Sequence, residues 1–225
     1  MIRVLTSPRV LVPILLLAVA GDVRAQSASS AKWEKDVAAF EAADRTNPPP
    51  KNALLFLGSS TIVRWKTLEK DYPNQPIINR GFGGNEIADS TYFADRIIFP
   101  YRPKMIYLRA GGNDIHNGKS ADQVFEDFKA FVSTVHGKLP DTEILFISLS
   151  PSIARWDERD ANKKLNALVE TYVKGKPRLK YIDTWSVPLD AKGEPRPELF
   201  VEDKLHLSPE GYKLLIERVR PYIPR

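Results

Sequence analysis

The fold of this chain is decided by the stretch Ala53-Leu54-Leu55-Phe56-Leu57-Gly58-Ser59-Ser60-Thr61. Its unbroken apolar run is typical of a strand that is buried on both faces of a parallel sheet. Gly58 lets the backbone turn sharply where the strand ends. A serine hydroxyl after that turn lies at the carboxyl edge of the sheet, where open α/β sheets bind their ligands. The alternative role for either serine is to cap the helix that follows, because Ser is a preferred N-cap residue.

Four more strands are predicted from short apolar segments at residues 76–79, 104–109, 144–147 and 179–182. The segments between them have apolar residues at helical spacing, and an amphipathic helix over residues 31–45 precedes the first strand. This alternation of strands and helices predicts a parallel sheet with helices on both faces. The sequence contains no internal repeat and no second apolar core, so we expect a single α/β domain.

Residues 1–25 have the pattern of a signal peptide. Basic residues start the segment, residues 10–20 are apolar, and small residues end it at Ala25. The apolar stretch is short and Pro13 interrupts it, so we predict cleavage after Ala25, with an uncleaved membrane anchor as the alternative. The mature domain would then cover residues 26–225. It would be periplasmic or secreted, without stable insertion in a membrane.

The composition excludes several kinds of site. The 225 residues include no Cys and three His, which excludes a thiol nucleophile and a thiolate metal site. No His pair has helical metal-binding spacing, so no metal is expected. The formal net charge is +5, but the basic residues are spread along the chain and form no long run. A nucleic-acid partner is therefore not indicated.

Glycine-rich or polar loops follow three of the other predicted strands. Residues 80–85 contain three glycines after the second strand, and residues 111–114 (Gly-Gly-Asn-Asp) follow the third. A long irregular connection after the fifth strand ends in Asp203 and His206. These loops are expected to meet the two serines, because the carboxyl ends of parallel strands share one edge. A dinucleotide-binding fingerprint is not met, since Glu86 stands where its last glycine would be.

Hydrolysis through a serine is the chemistry that these residue types favour together. A serine hydroxyl needs an adjacent base at neutral pH, and His206 can accept its proton. Asp203, three residues earlier, can reach the other ring nitrogen and fix the tautomer. The tetrahedral oxyanion needs donors that are already in place. The candidates are the N–H groups of Ser60 and Gly84 and the side-chain amide of Asn113.

These loops resemble the motifs of the SGNH (GDSL-like) hydrolase family, especially of bacterial members similar to platelet-activating-factor acetylhydrolases. Residues 56–60, 79–85, 111–114 and 203–212 resemble its first, second, third and last blocks. The resemblance implies a flavodoxin-like three-layer domain with a five-stranded parallel sheet. It also implies ester hydrolysis without a metal or another cofactor.

The resemblance further implies roles for individual residues. Ser60 is the implied nucleophile, His206 the implied base and Asp203 the implied orienting carboxylate. Gly84 and Asn113 are the implied additional oxyanion donors. The family commonly has Asp before the nucleophile, where this chain has Ser59. Two adjacent hydroxyls are therefore present, and the family spacing from Gly58 selects Ser60 as the nucleophile.

We therefore expect a serine esterase that acts on small, acetyl-like acyl esters of an alcohol or a sugar. The mature chain must build five strands and their covering helices, which leaves little chain for a lid or a long acyl tunnel. The alternatives are a lysophospholipase or lipase, a carbohydrate O-deacetylase, and a non-catalytic domain that binds a small ligand.

Other side chains give weaker indications. Ser59, Trp65 and Trp156 are candidate substrate contacts, although packing in the core explains either tryptophan equally well. His116 follows the third loop and is interpreted as a solvated side chain. His136 lies near a helix end and is interpreted as structural.

Overall fold

The computed structural model describes residues 30–225. The predicted signal peptide therefore lies outside the described residues. Within residues 30–225 the chain is built around one five-stranded sheet. No helix in that range is both long and apolar enough to cross a membrane.

All five predicted strands are present. They are β1 (Leu54–Gly58), β2 (Ile77–Gly81), β3 (Met105–Arg109), β4 (Glu143–Ile147) and β5 (Leu179–Ile182). They pair in parallel in the order β2-β1-β3-β4-β5, which is the flavodoxin-like order. The predicted parallel α/β sheet is thus confirmed.

The register brings the carboxyl ends of β2, β1 and β3 level with one another. Gly58 pairs with Gly81 of β2 and with Arg109 of β3. The strand order reverses between β1 and β3, and open α/β sheets form a crevice outside the strand ends at such a reversal. The loops after these three strands therefore meet at one place.

Helices fill the connections between the strands. The α-helices of the described chain are α1 (Glu34–Thr46), α2 (Ser60–Arg64), α3 (Leu68–Asp71), α4 (Ile87–Tyr92), α5 (Ala94–Ile97), α6 (Gly112–His116), α7 (Ala121–Lys138), α8 (Arg159–Val173) and α9 (Pro209–Val219). Short 3-10 turns lie at Ala31–Trp33, Phe99–Tyr101, Trp156–Glu158, Pro197–Leu199 and Arg220–Tyr222.

Alternate residues of β1 face opposite layers of helices. Leu55 and Leu57 are buried in one apolar cluster with residues of α1, α4, α5, α7 and α8. Leu54 and Phe56 are buried in a second cluster with residues of α2, α3 and α9. The apolar sequence of β1 is unbroken because both of its faces are covered. The predicted three-layer arrangement is thus confirmed.

Glycine is required where β1 ends. Gly58 has a φ of 148°, which favours glycine. A Cβ atom built at Gly58 would lie 2.1 Å from the carbonyl oxygen of Arg109, so a side chain would push β1 away from β3. The glycine lets the chain leave the sheet directly into the loop that carries Ser59 and Ser60.

The segment before α9 is held by backbone pairing and by a helix cap. Phe200 and Leu207 form an isolated antiparallel bridge. Ser208 Oγ accepts a hydrogen bond from the N–H of Gly211 at 3.3 Å, and Pro209 occupies the first turn of α9. The turn between Phe200 and Leu207 carries the predicted Asp203 and His206, so both of its ends are fixed.

Candidate active site

The two serines after β1 differ in their contacts. Ser59 occupies the N-cap position of α2, but its side chain makes no capping hydrogen bond. Its N–H donates to the carbonyl oxygen of Arg109 at 3.2 Å, which ties the turn to β3. Ser60 is the first residue of α2, and its Oγ lies 2.9 Å from Nε2 of His206. The structure thus places an imidazole beside the hydroxyl of Ser60.

A tight turn brings Asp203 and His206 together. Oδ1 of Asp203 accepts hydrogen bonds from the N–H groups of Leu205 and His206, each at 2.9 Å. Oδ2 lies 2.7 Å from Nδ1 of His206, and Lys204 in the turn has a left-handed φ of 55°. An ionised carboxylate can only accept. Nδ1 therefore carries the proton and Nε2 presents a lone pair to Ser60.

The charge of Asp203 is stabilised by its own turn. Hydrogen bonds from the N–H of His206, from the His206 ring and from the N–H of Leu205 hold the pKa of the Asp203 carboxyl well below its usual range. Arg64 lies 3.9 Å away, and 42% of the Asp203 side chain is exposed. Asp203 is thus an ionised group that orients the ring of His206.

Three donors of the predicted oxyanion hole line one space beside Ser60. The N–H of Ser60 has no acceptor one turn earlier, because Ser60 begins α2. The N–H of Gly84, where φ is 81°, donates to no protein acceptor within the described chain. Nδ2 of Asn113 donates to the carbonyl oxygen of Asn85 at 3.1 Å, which leaves its second amide hydrogen for a ligand.

These groups line a cavity of about 420 Å³ at the carboxyl edge of the sheet. Its wall includes both serines, His206 and loop residues after β2, β3 and β4, among them Gly84, Asn113, Leu149, Ser150, Ser152 and Arg155. Asp203 does not line the cavity, because it lies behind the ring of His206. The structure thus brings together the loops that the sequence predicts to converge.

Arg155 is a residue of the candidate site that the sequence does not predict. Its Nη1 donates to Oδ1 of Asn113 at 3.2 Å and contacts the carbonyl oxygen of Gly112 at 3.4 Å. A guanidinium can only donate, so this contact fixes which end of the Asn113 amide presents its hydrogens. No sequence pattern marks Arg155, which lies in an irregular loop after β4.

Trp33 is a second residue whose contact with the candidate site the sequence does not predict. The sequence predicts it only as an apolar position of the first helix. Its ring covers Gly84, since a Cβ atom built there would lie 3.1 Å from Cη2 of Trp33. Its Nε1 donates to Asp89 at 2.9 Å, and Asp89 accepts from the N–H of Glu86 at 2.9 Å. The segment before α1 thus packs on the Gly84 loop.

Asp114 is buried next to Asn113. Its side chain has no exposed surface, and Lys119 lies 3.6 Å from it. Burial raises the pKa of the Asp114 carboxyl to about 7. Oδ1 accepts from the N–H of Ile87 at 3.2 Å, whereas Oδ2 has no hydrogen-bond partner within the described chain. Asp114 thereby joins the start of α4 to α6, which carries Asn113.

The structure corrects the expectation that tryptophans line the cavity. Trp65 is 2% exposed, packs edge-on against Phe56 at 5.6 Å and donates from Nε1 to Asp71 at 2.7 Å. Trp156 also lies outside the cavity wall, and the guanidinium of Arg159 stacks on its ring at 5.0 Å. Trp65 therefore has the alternative packing role, whereas Ser59 does line the cavity.

The other two histidines lie outside the cavity wall. Half of the His116 side chain is exposed, and its Nδ1 lies 2.6 Å from Glu158. Nε2 of His136 lies 3.0 Å from the carbonyl oxygen of Thr142. Both positions agree with the interpretations made from the sequence. In the described range, no three His, Asp or Glu side chains are grouped as they would be to hold a metal ion.

Comparison with protein-family models matches residues 51–214 to the GDSL-like Lipase/Acylhydrolase family. The chain belongs to this family. The match covers every strand and every residue of the candidate site except Trp33. The predicted resemblance is thus confirmed, and with it a place among the family's hydrolases and esterases.

Relatives and solved structures agree with this membership in the GDSL-like family. The chain is 29% identical over 179 residues to subunit alpha1 of bovine platelet-activating factor acetylhydrolase IB, across 76% of this chain and 73% of that protein. A putative platelet activating factor structure from Streptococcus pneumonia has a TM-score of 0.74 at 20% identity, over 91% of this chain and 99% of that one. An acetyl-xylooligosaccharide esterase from Geobacillus has a TM-score of 0.62 at 16% identity, over 78% and 96%. At these identities the two structures show the shared fold.

Proposed function

We propose that this family member is a serine esterase that removes small acyl groups, with Ser60 as nucleophile, His206 as general base and Asp203 as the orienting carboxylate. The continuous hydrogen-bonded chain from Asp203 through His206 to Ser60 carries the proposal. Nδ1 of His206 lies 2.7 Å from Oδ2 of Asp203, and Nε2 of His206 lies 2.9 Å from Oγ of Ser60. A non-catalytic domain that only binds a ligand would not need a carboxylate, an imidazole and a hydroxyl aligned by hydrogen bonds.

In the first half-reaction, Ser60 Oγ attacks the ester carbonyl carbon and Nε2 of His206 takes the hydroxyl proton. The resulting imidazolium lies against the ionised Asp203, which stabilises it. When the tetrahedral intermediate collapses, the bond to the alcohol breaks and His206 gives its proton to the leaving oxygen. The products are the free alcohol and an acyl ester of Ser60.

In the second half-reaction, water replaces the alcohol. His206 takes a proton from the water as the water oxygen attacks the acyl carbon. Collapse of the second intermediate returns the proton to Ser60 Oγ and releases the carboxylic acid. The half-buried imidazole in the cavity wall is accessible to that water.

The negative oxygen formed in each step would be held by the N–H groups of Ser60 and Gly84 and by Nδ2 of Asn113. One preplaced donor of this type contributes on the order of 3 kcal/mol to the transition state. The contacts of Asn113 with Asn85 and Arg155 support this role, because they fix the amide before the substrate binds.

The size of the cavity favours a small acyl group. A space of about 420 Å³ that must also hold part of the alcohol leaves little room for a long hydrocarbon chain. The names of two comparison proteins, an acetylhydrolase and an acetyl-xylooligosaccharide esterase, both refer to acetyl groups. We therefore propose acetyl to about butyryl esters as substrates, ahead of the long acyl chains of a lipase or lysophospholipase.

Carbohydrate O-deacetylation is the second candidate. Ser59, Ser150, Ser152 and Glu158 are among the residues that line the cavity. Hydroxyl and carboxylate side chains can exchange hydrogen bonds with the hydroxyl groups of a sugar. Export after cleavage at Ala25 remains part of the proposal, and N-terminal sequencing of the mature protein would test it.

The test is hydrolysis of p-nitrophenyl esters from two to sixteen carbons by the purified mature protein and by a Ser60→Ala variant. We expect kcat/KM to be highest at two to four carbons and the variant to be folded but inactive. Acetylated xylo-oligosaccharides are measured in the same series. A higher kcat/KM for them than for the aryl acetates would favour the second candidate. A maximum at eight carbons or more would contradict the small-acyl proposal.

A further inference from the structure

The charges that line the cavity are unevenly balanced. Arg64, Arg109 and Arg155 contribute to its wall, and Glu158 is the one acidic residue of the described chain that does so. Glu158 is already engaged by His116 at 2.6 Å. The positive groups of the wall therefore outnumber the negative ones.

Arg109 is a buried cation whose contacts are all neutral. It is 8% exposed, and its Nη1 donates to the carbonyl oxygen of Ser148 and to Thr184 Oγ1. Its Nη2 contacts Ser150 Oγ at 3.4 Å. Burial lowers the pKa of the Arg109 guanidinium to about 10, so it is still charged at neutral pH. No carboxylate of the described chain lies within ion-pair distance of it.

Arg155 is partly buried, and its contacts are also with neutral groups only. Its two contacts are the carbonyl oxygen of Gly112 and Oδ1 of Asn113, both uncharged. The third arginine, Arg64, has one carboxylate nearby, that of Asp203 at 3.9 Å. Within residues 30–225, two guanidinium groups at the cavity therefore have no carboxylate within ion-pair distance.

Two arginines of low exposure elsewhere in the described chain, one buried and one partly buried, are paired with carboxylates. Arg80 forms an ion pair with Asp44, and Arg96 forms ion pairs with Glu34 and Glu41 at 2.7 and 2.6 Å. Leaving a buried charge unpaired is unfavourable unless something else compensates it. The missing counter-charges are thus a local feature of the cavity.

We propose that the ester substrate carries a carboxylate, which enters the cavity and supplies the missing counter-charge to Arg155 in the field of Arg109. This inference rests on the proposed esterase function and names its substrate class. A guanidinium presents donors in a planar fork that matches the two oxygens of a carboxylate. A carboxylate is also small enough to share the cavity with a short acyl group.

The carboxylate could belong to the acid part or to the alcohol part of the ester, and two matched pairs of substrates separate these sources. For the alcohol part, the pair is 4-acetoxybenzoate and the neutral 4-acetoxybenzamide. For the acid part, the pair is mono(4-nitrophenyl) succinate and 4-nitrophenyl butyrate. The measurement is kcat/KM for each ester at low and high NaCl.

We expect kcat/KM for one anionic ester to be at least about tenfold higher than for its neutral partner at low salt. A positively charged cleft raises the local concentration of an anionic substrate. That preference should shrink as salt rises, while the neutral ester changes little. If neither anionic ester exceeds its partner, the inference is overturned although the esterase function stands. If the protein hydrolyses none of the four esters, the proposed function fails and the inference fails with it.

Variants of Arg155 test the residue itself. Arg155→Gln should lower the anionic-to-neutral ratio, and Arg155→Lys should retain most of it. Both variants also disturb Asn113, so the ratio and not the absolute rate is the readout. Arg159→Gln is the matched control, because Arg159 lies in the same segment but outside the cavity wall. An unchanged ratio in Arg155→Gln would contradict the assignment.

Discussion

Nε2 of His206 lies 2.9 Å from Oγ of Ser60, although 146 residues separate them in the chain. The contact joins the first strand end to the turn before α9, so it exists only in the complete fold. Its other half, the pair of His206 and Asp203, is local and depends on three residues of spacing. The reactive arrangement therefore combines one long-range contact with one short-range turn.

The first prediction concerns the base and its orienting carboxylate. His206→Ala should lower kcat by at least about 10²-fold, because the proton of Ser60 then has no positioned acceptor. Asp203→Asn should also lower kcat, since an amide in this position can stabilise the wrong tautomer of His206. The measurement is steady-state hydrolysis of p-nitrophenyl acetate.

His116→Gln is the matched control for these variants, since His116 is exposed and lies outside the cavity wall. It should retain nearly full activity. An active His206→Ala enzyme would show that another group serves as the base.

The second prediction compares adjacent glycines. Gly84 has a φ of 81° and lies against Trp33, with 3.1 Å between Cη2 and a Cβ atom built on Gly84, whereas a Cβ at Gly83 would meet nothing within 4 Å. Gly84→Ala should shift the N–H that we propose as an oxyanion donor, and kcat should fall on the order of 10²-fold. Gly83→Ala should leave kcat within about twofold. Equal effects of the two substitutions would count against Gly84 as an oxyanion donor.

The third prediction concerns stability and pH. The pKa of the Asp114 carboxyl is raised to about 7 from the ordinary value of 3.8, so the folded state holds a proton that the unfolded chain releases. The tighter binding of this proton stabilises the folded state. This contribution to the free energy of unfolding is fully present below pH 3.8 and is lost as the pH rises through about 7. The loss is at most about 1.4 kcal/mol per pH unit within that window.

Asp114→Asn removes this titration without changing the shape of the side chain greatly. Urea unfolding between pH 4.5 and 8 should show that the wild type loses stability relative to the variant as the pH rises. The difference should become constant above about pH 8. A difference that stays flat from pH 4.5 to 8 would mean that Asp114 is ionised throughout in the folded protein.

Much of the fold follows from local sequence patterns. The run from Leu54 to Leu57 is apolar at every position because both faces of β1 are covered, and that pattern is visible without a structure. The turn of Asp203 and His206 is also predictable, since three residues of spacing are enough to form its hydrogen bonds. The placement of Ser60 beside His206 follows once the strands are taken as parallel.

Other features depend on tertiary packing and have no local signal. Trp65 is an aromatic residue close in sequence to Ser60, and only its contacts with Asp71 and Phe56 show that it belongs to the core. Arg155 lies in an irregular loop whose path decides that it reaches Asn113. The contact of Trp33 with Gly84 joins segments that are far apart in the chain. Side-chain partners of this kind could not be predicted from spacing alone.

The central claim is that Ser60, and not Ser59, is the nucleophile. Its most direct test is to label the mature protein with a fluorophosphonate and to locate the modified residue by mass spectrometry. We expect one label, on Ser60, that is absent in Ser60→Ala and in protein whose His206 is replaced, and that persists in Ser59→Ala. A label on Ser59, or no label in an active enzyme, would contradict it.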